Sequence, residues 1–239
     1  MRILPATIAL ALMSGSAMAA DLTYEAPPVE PALAAFTWTG FVAGVNAGYG
    51  WGDADYHFNS SGYYNDVAGD SFSHDIDGAF LGGHVGYNYQ INNIVLGIEG
   101  ALFWSDIGKS DVQSPYYDSD RFETNLDWFG TLTPRIGYAF DRAHIFAKGG
   151  LAFGKVESTA HDTNSGFIVS DSSTRTGWTV GAGVEYAVTD NVLLGLEYNY
   201  TDLGSYNINS ESIPEVSEHT NHDVDTAFSA VSVTLGYKF

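Results

Sequence analysis

Five charged residues stand out because each lies in a stretch that is otherwise rich in glycine and apolar side chains. They are Glu99, Arg135, Lys148, Glu185 and Glu197. Two cations and three carboxylates could form a buried ionic cluster that fills space. They could also form a gate, a proton relay or a catalytic constellation, since charged groups enclosed by apolar surroundings are often functional. The elements that carry the five side chains decide whether they meet.

Histidine is the second residue type with chemistry to offer. His219 and His222 lie three residues apart in a polar stretch and could bind a transition metal or haem iron. Scattered histidines in contact with solvent are the alternative interpretation. The absence of cysteine excludes a disulfide framework and thiolate chemistry. There is also no Gly-x-Ser-x-Gly elbow for a serine hydrolase. We predict no resident cofactor and no enzymatic activity.

The charge balance restricts the class of partner. The formal net charge is −20 at pH 7, with 29 acidic against 9 basic residues. Such a chain is poorly suited to bind nucleic acid, because the phosphate backbone is recognised by basic side chains.

The amino-terminal region indicates export. Arg2, an apolar run too short to span a bilayer and a small-residue zone ending in Ala17-Met18-Ala19 are typical of a signal peptide. We predict a signal peptide over residues 1–19, so that the mature chain begins at Ala20. Residues 20–37 contain three prolines and are predicted to form a periplasmic tail. Residues 38–239 remain for one folded domain.

Strict alternation of apolar and other residues fills this domain. Such a period-two pattern predicts strands with a different environment on each face. The predicted strands are 38–51, 78–90, 94–104, 126–140, 144–156, 176–188, 192–201 and 229–239. No stretch after the signal peptide approaches 18 uninterrupted apolar residues, so the way for this chain to lie in lipid is a closed barrel.

The connections between the predicted strands alternate in length. Residues 90–93, 141–143 and 189–191 form short turns, whereas the long, polar segments are 53–77, 105–125, 157–175 and 202–225. This layout predicts an eight-stranded antiparallel up-and-down transmembrane β-barrel with short periplasmic turns and four long outer loops. The alternative is a soluble lipocalin-like barrel, which has the opposite polarity. The glycine, asparagine and charged residues of the second face argue against that alternative.

Aromatic residues on the apolar face support the transmembrane interpretation. They form two groups, as in interfacial girdles. Tyr87, Tyr89, Tyr138, Tyr186, Tyr237 and Phe239 lie toward the short turns, and Tyr49, Trp51, Trp104, Trp128, Trp178 and Tyr200 toward the long segments. Tyr237 and the terminal Phe239 close an alternating strand, which resembles the assembly signal of outer-membrane barrels. We therefore predict that the last strand pairs with the first.

The barrel prediction brings the five charged residues together. Each lies on the inward face, about five to seven residues from the nearest short turn, and an eight-stranded interior is just wide enough for side chains to fill it. We predict that Glu99, Arg135, Lys148, Glu185 and Glu197 form an ionic plug near the middle of the membrane, with His84 at a similar height. The gate, relay and catalytic interpretations stay open at this point.

The long outer segments hold most of the acidic residues. They could bridge divalent cations to lipopolysaccharide phosphates or bind Ca²⁺, or they could be solvated and mutually repelling. No fixed ligand spacing such as an EF-hand loop occurs.

Short motifs along residues 20–239 resemble the small alphaproteobacterial outer-membrane proteins of the porin family, the group of the brucella major surface proteins and the bartonella hemin-binding proteins. The motifs include Trp38-Thr39-Gly40-Phe41, Gly86-Tyr87-Asn88-Tyr89-Gln90, Leu96-Gly97-Ile98-Glu99-Gly100, Arg135-Ile136-Gly137-Tyr138, Lys148-Gly149-Gly150-Leu151-Ala152 and Gly236-Tyr237-Lys238-Phe239.

This resemblance implies a place in the outer membrane and a role in envelope stability, contact with host surfaces or hemin binding. It also implies attachment of a mature Ala20-Asp21 terminus to peptidoglycan. The leading functional prediction is a non-enzymatic structural and surface barrel. Its expected partners are outer-membrane lipid and lipopolysaccharide, the barrel assembly machinery and peptidoglycan. The alternatives are a surface protein that binds hemin or divalent cations, a small-solute porin and a lipid-modifying barrel enzyme.

Overall fold

The chain folds into one closed sheet of eight antiparallel strands. The computed structural model describes residues 36–62, 68–113, 120–162, 167–209 and 220–239. The strands are β1 (Gly40–Gly62), β2 (Ser71–Ile91), β3 (Ile94–Gln113), β4 (Asp120–Phe140), β5 (Ala143–Asp162), β6 (Phe167–Ala187), β7 (Val192–Asn209) and β8 (Thr220–Lys238). Successive strands pair, and β8 pairs with β1. The predicted fold class is confirmed. Within the described ranges there is no helix long and apolar enough to cross a membrane.

Three short turns lie at one end of the barrel. Asn92-Asn93 and Asp141-Arg142 are two-residue turns, and Asn92 and Asp141 both have a φ of 55°. Asparagine and aspartate tolerate this left-handed conformation better than other residues with a Cβ atom. Val188 to Asn191 form the third turn, where the Thr189 hydroxyl accepts the N–H of Val192.

The half of the barrel next to these turns has an apolar outside, and we call it the membrane half. It extends from the short turns to the more distant of the two aromatic girdles. We call this one the upper girdle, and its residues Tyr49, Trp51, Trp104 and Trp178 are 45 to 68% exposed. Between the girdles, exposed leucine, isoleucine and valine alternate with buried or glycine positions along every strand. Lipid is the solvent that such an outer surface requires.

The predicted bounds of the strands are wrong at their outer ends. The segments predicted as long loops continue for the most part as paired strand, so that β1 reaches Gly62 instead of residue 51 and β6 begins at Phe167 instead of residue 176. The alternation continues there with inverted polarity. On β1 the buried side chains are Ala54, Tyr56 and Phe58, with Asp55 and His57 between them. We call this part of the eight strands the outer half.

Two of the eight backbone hydrogen-bond ladders end before the outer ends of their strands. Among the described residues, β2 and β3 pair no further than Asp77↔Gly108, and β6 and β7 no further than Trp178↔Asp202. The other six ladders continue upward. The outer half therefore consists of two four-stranded sheets, the first outer sheet of β7, β8, β1 and β2 and the second outer sheet of β3, β4, β5 and β6.

An aromatic core fills the space between the two outer sheets. Tyr56 of β1 and Phe72 of β2 each lie 5.2 Å from Phe122 of β4, measured between ring centroids. The Tyr56 hydroxyl lies 2.7 Å from the Thr124 hydroxyl of β4. Arg175 of β6 donates to the Val224 carbonyl of β8 at 3.1 Å. These contacts join the sheets where no backbone ladder does.

A tryptophan lies inside the end of the barrel that carries the short turns. Predicted strand one begins at residue 38, whereas β1 begins at Gly40, and Trp38 is 0% exposed. The Trp38 indole donates to the Asp141 carbonyl at 3.0 Å, and its backbone N–H donates to Gln90 at 2.7 Å. Val42, Val95, Ala139, Ala187 and Leu193 form the apolar cluster around it. Trp38 was predicted to be the first residue of a strand, but it lies inside the end of the barrel, two residues before β1 begins.

Alternation along predicted strand 126–140 would place Asp127 on the inward face together with Arg135, but the structure does not. The ladder between β4 and β5 shifts between Leu126 and Trp128, which is a β-bulge. A bulge adds one residue and changes the face on which its neighbours lie. Asp127 is therefore partly exposed and pairs with Lys155 at 2.6 Å, while Leu126 takes the buried position.

Candidate functional site

The five predicted charged residues meet inside the membrane half. Each lies on a different strand, from Glu99 on β3 through Arg135 on β4 and Lys148 on β5 to Glu185 on β6 and Glu197 on β7. All five residues are 3 to 8% exposed. Because inward positions recur every second residue, a common depth on five neighbouring strands is enough to bring them together. We call this set the ionic cluster.

The ionic cluster is one connected chain of ion pairs. Arg135 donates to Glu99 at 3.0 Å and to Glu185 at 2.7 Å. Lys148 donates to the other oxygen of Glu99 at 2.9 Å and also to Glu197. Glu99 is the shared carboxylate that links the two cations. Charge-assisted bonds of this kind are the strong class of hydrogen bond.

Glycines opposite the charged residues make room for the long side chains. Gly97 stands opposite Arg135 in the ladder of β3 and β4, and Gly195 stands opposite Glu185 in that of β6 and β7. A Cβ atom at Gly97 would meet the Arg135 side chain, and one at Gly195 would approach the side chain of Glu185. The Arg135 guanidinium also lies 3.8 Å from the centre of the Phe146 ring, a cation–π contact that fixes its plane.

Two histidines lie beside the ionic cluster. His144, which sequence reasoning did not select, is 1% exposed, and its Nδ1 lies 3.2 Å from Glu185. Its position two residues before Phe146 and four before Lys148 is the signal that could have placed it on the inward face. His84, which was expected at this height, lies 2.6 Å from the Asn46 side chain.

Apolar layers lie on both sides of the ionic cluster. Phe80, Phe103 and Phe129 pack on the outer side with ring centroids 4.6 to 5.4 Å apart, and Phe228 joins them at 5.2 Å from Phe129. On the other side, the Trp38 ring lies 4.8 Å from that of His144. The charged chain is thereby held between an aromatic layer and a single tryptophan.

The outer half contains a buried histidine that was predicted to lie on a loop. His74 belongs to β2, is 9% exposed and has aromatic neighbours in Tyr56 and Phe72. Neither of its ring nitrogens has a hydrogen-bond partner within the described structure. Burial lowers the pKa of His74, and the nearby Asp75 and Asp55 only partly oppose this effect.

The other predicted site residues are not brought together. His219 and Ala20 lie outside the described residues, as do the signal peptide and all of the predicted tail except Phe36 and Thr37. His222 belongs to β8, where its backbone pairs with that of Phe58. In the part of the chain that the structure describes, no group of three or more histidine, aspartate or glutamate residues is placed to hold a metal ion. The hemin and divalent-cation interpretations stay predictions.

Tyr237 and Phe239 lie on the lipid-facing surface at the end of β8. Their rings are 5.0 Å apart, and the two residues are 49% and 73% exposed. The Phe239 N–H donates to the Phe41 carbonyl at 2.9 Å, so the terminus is anchored to β1. Their role as an assembly signal stays a prediction.

Comparison with known proteins supports the interpretation of this chain as an outer-membrane barrel. Residues 7–239 match the family model described as outer membrane protein beta-barrel domain. The 31 kDa outer-membrane immunogenic protein of Brucella melitensis is 37% identical over 96% of both chains. The 22 kDa outer membrane protein of Rhizobium leguminosarum is 33% identical over 77% of this chain and 73% of its own.

A solved structure agrees at the level of fold. The outer membrane protein OprG from Pseudomonas aeruginosa superposes with a TM-score of 0.51 at 17% sequence identity, covering 84% of this chain and 96% of its own. The predicted resemblance to the brucella surface proteins is confirmed by the sequence matches. This chain belongs to the outer-membrane β-barrel proteins, in the group of small alphaproteobacterial members, and its place is the bacterial outer membrane.

Proposed function

We propose that this protein is a non-enzymatic structural barrel whose interior is closed to solutes and whose outer half presents an acidic surface. The ionic cluster carries this proposal, because it spans five neighbouring strands through buried ion pairs. A hydrated solute could pass only by separating Arg135 and Lys148 from their carboxylates. Leaving such charges buried without partners is strongly unfavourable.

The same bonds argue for a structural use of the cluster over a catalytic one. Glu99, Glu185 and Glu197 all bind a lysine or arginine. A general acid or base needs access to a substrate proton, and these side chains are enclosed between an aromatic layer and Trp38. The relatives are named as immunogenic outer-membrane proteins, which supports a surface role for this chain as well.

The acidic surface lies just outside the upper aromatic girdle. Asp53 of β1 stands opposite Asp75 of β2, and Asp55 stands opposite Asp225 of β8. Partial burial, followed by the charges of Asp75 and Asp55, raises the pKa of Asp53. Like charges on opposed residues repel each other. We propose that divalent counterions held against lipopolysaccharide phosphates relieve this repulsion, without a cage of fixed ligands.

Two further contacts belong to the same proposal. Tyr237 and Phe239 would be read by the barrel assembly machinery, and Ala20 would be the point at which the tail is attached to peptidoglycan. Together with the lipid-facing surface, these contacts would make the protein a link between the membrane and the cell wall.

Single-channel recording in a planar lipid bilayer tests the closed interior. We expect no steady conductance from the refolded protein and open or unstable channels from Arg135→Ala. Arg142→Ala serves as the matched control, because Arg142 pairs with Asp190 at a short turn and should leave the bilayer silent. A large steady conductance from the unchanged protein would refute the plug and make solute diffusion the leading function.

A further inference from the structure

The outer half offers two strand edges where the ladder between β6 and β7 ends. Above Trp178↔Asp202, the ladders formed by described residues join β6 to β5 as far as Phe167 and β7 to β8 as far as Asn209, with no further pair between β6 and β7 in these ranges. A sheet edge presents backbone N–H and C=O groups in the direction in which a further strand can add. We call Phe167 to Thr174 the β6 edge.

A bulge on β7 separates the two strands. The ladder of β7 and β8 shifts between Asp202 and Ser205, directly above the last pair with β6. Gly204 has a φ of 72°, in the left-handed region that glycine adopts without strain, and its N–H donates to the Asp202 side chain at 2.7 Å. A bulge re-aims the strand that contains it. The gap is thus built into the local sequence.

The unpaired part of β6 has one feature that protects against strand addition, the buried inward charge of Arg175 next to Thr174, but it has neither lysine nor proline. Natural edges are guarded by lysine, proline, bulges or inward charges. The gap between β2 and β3 has such protection, because β3 carries Lys109 there and its ladder to β4 shifts between Lys109 and Val112. The β6 edge has the sequence Phe-Ile-Val-Ser-Asp-Ser-Ser-Thr, without lysine or proline and with three β-branched residues. Its ladder to β5 is unbroken.

We propose that the β6 edge is a docking site for an extended segment of a basic partner protein, which adds to the second outer sheet as a further strand. The charges favour a basic segment. Asp202 lies in the last pair below the gap, the Arg175 side chain points inward and is buried, and the chain as a whole has a net charge of −20. A second copy of this chain is disfavoured, because each copy has a net charge of −20.

Strand addition takes its affinity from backbone hydrogen bonds and its selectivity from the side chains at alternate positions. The test therefore uses a labelled peptide of alternating lysine and valine, as long as the β6 edge, with the full-length protein in lipid nanodiscs. A second peptide carries N-methyl groups on alternate amides, and a third has glutamate in place of lysine. Fluorescence anisotropy gives the affinities, and hydrogen–deuterium exchange locates the bound peptide.

We expect the first peptide to bind and to slow exchange within residues 167–174. The N-methylated peptide should bind at least about tenfold more weakly, because it cannot complete the ladder. At low salt, the glutamate peptide should bind even more weakly than the N-methylated peptide. Equal binding of the first two peptides would show that charge alone holds them and would overturn the proposal. Protection elsewhere, or no binding of the first peptide, would overturn it as well.

Two matched variants separate the edge from the general charge of the surface. Ile168→Lys places a guarding lysine on the β6 edge, at a side chain that is 59% exposed. Thr159→Lys places the same charge on β5, which has a ladder on both sides. We expect the affinity for the first peptide to fall by about tenfold or more in Ile168→Lys and by less than about threefold in Thr159→Lys. Equal losses for both variants would refute the β6 edge as the binding site.

Discussion

The membrane half and the outer half share the same eight strands but have opposite polarity. Below the upper girdle, leucine and valine face outward and an ionic cluster lies inside. Above it, Asp53, Asp55 and Asp75 face outward and an aromatic core lies inside. The comparison teaches that the surrounding solvent, and not the strand, determines which face of the alternation is apolar. It also shows that a lipocalin-like polarity exists in this chain, confined to the part that stands outside the lipid.

The two halves are also held together differently. The membrane half is closed by eight ladders, so its interior can accept charged residues that contribute little packing. The outer half has two gaps in its ladders and depends on side chains such as Phe122, Tyr56 and Arg175 that reach from one sheet to the other. The predictions that follow alter one half at a time, from the largest expected effect to the smallest.

Removal of Arg135 should cause the largest loss of stability. Arg135→Ala leaves Glu99 without one of its two cations and Glu185 without its arginine, which should cost about 3 to 5 kcal/mol of unfolding free energy. Urea unfolding in detergent measures this loss. The control Arg142→Ala breaks a largely exposed pair with Asp190 and should cost at most about 1 kcal/mol. Equal losses of unfolding free energy in the two variants would mean that water reaches the ionic cluster.

The same leucine truncation on two faces of β4 should have unequal effects. Leu126→Ala leaves a cavity in the core between the outer sheets, where Leu126 is 1% exposed, and should cost about 2 to 5 kcal/mol. Leu132→Ala trims a lipid-facing side chain that is 46% exposed, where lipid can fill the space, and should cost less. Hydrogen exchange should show the first loss in the outer half alone. Faster exchange throughout the membrane half would contradict the separation of the two halves.

Loss of one hydroxyl tests the contact between the two outer sheets. Tyr56→Phe removes the bond to Thr124 of β4 and should cost about 0.5 to 1.5 kcal/mol. Tyr198→Phe removes a bond of similar length to Ser229, but at an exposed site on the membrane half. The second loss should be smaller, because the Tyr198 side chain is exposed and its partner Ser229 pairs with the girdle residue Tyr200, where interfacial groups can replace the lost bond. Thermal unfolding of both variants gives the comparison, and a larger effect of Tyr198→Phe would contradict it.

The smallest effect should be a pH dependence confined to the outer half. Burial lowers the pKa of His74 below its ordinary value of 6.5. Below that value the unfolded state binds the proton more readily, so stability present at neutral pH is lost as the pH falls from 6.5 toward the lower pKa of the folded state. The protection of β2 amides, corrected for the intrinsic pH dependence of exchange, should therefore decrease as the pH is lowered from about 7 to about 5. His74→Phe should remove this change, and a pH dependence that persists in this variant would rule out His74 as its source.

The sequence predicts the membrane half well because lipid leaves a regular apolar signal on every strand. The outward leucines and both girdles follow from the alternation, and the depth of Glu99, Arg135 and Lys148 follows from their distance along the chain from the short turns. The outer half escaped prediction because its acidic outward residues resemble loop composition, although Tyr56, Phe58 and Val224 preserve the alternation. The bulges at Asp127 and Gly204 and the burial of Trp38 depend on neighbouring strands, which a single segment does not reveal.

Absence of cysteine makes the inversion of polarity directly measurable. Single cysteines at Leu132 and Leu151 of the membrane half and at Ser73 and Thr159 of the outer half would each carry an environment-sensitive fluorophore on the outward face. We predict that a lipid-soluble nitroxide quenches the first two labels and that aqueous iodide quenches the last two. Iodide quenching at Leu151 as strong as that at Thr159 would contradict the account, because the whole outer surface would then face water.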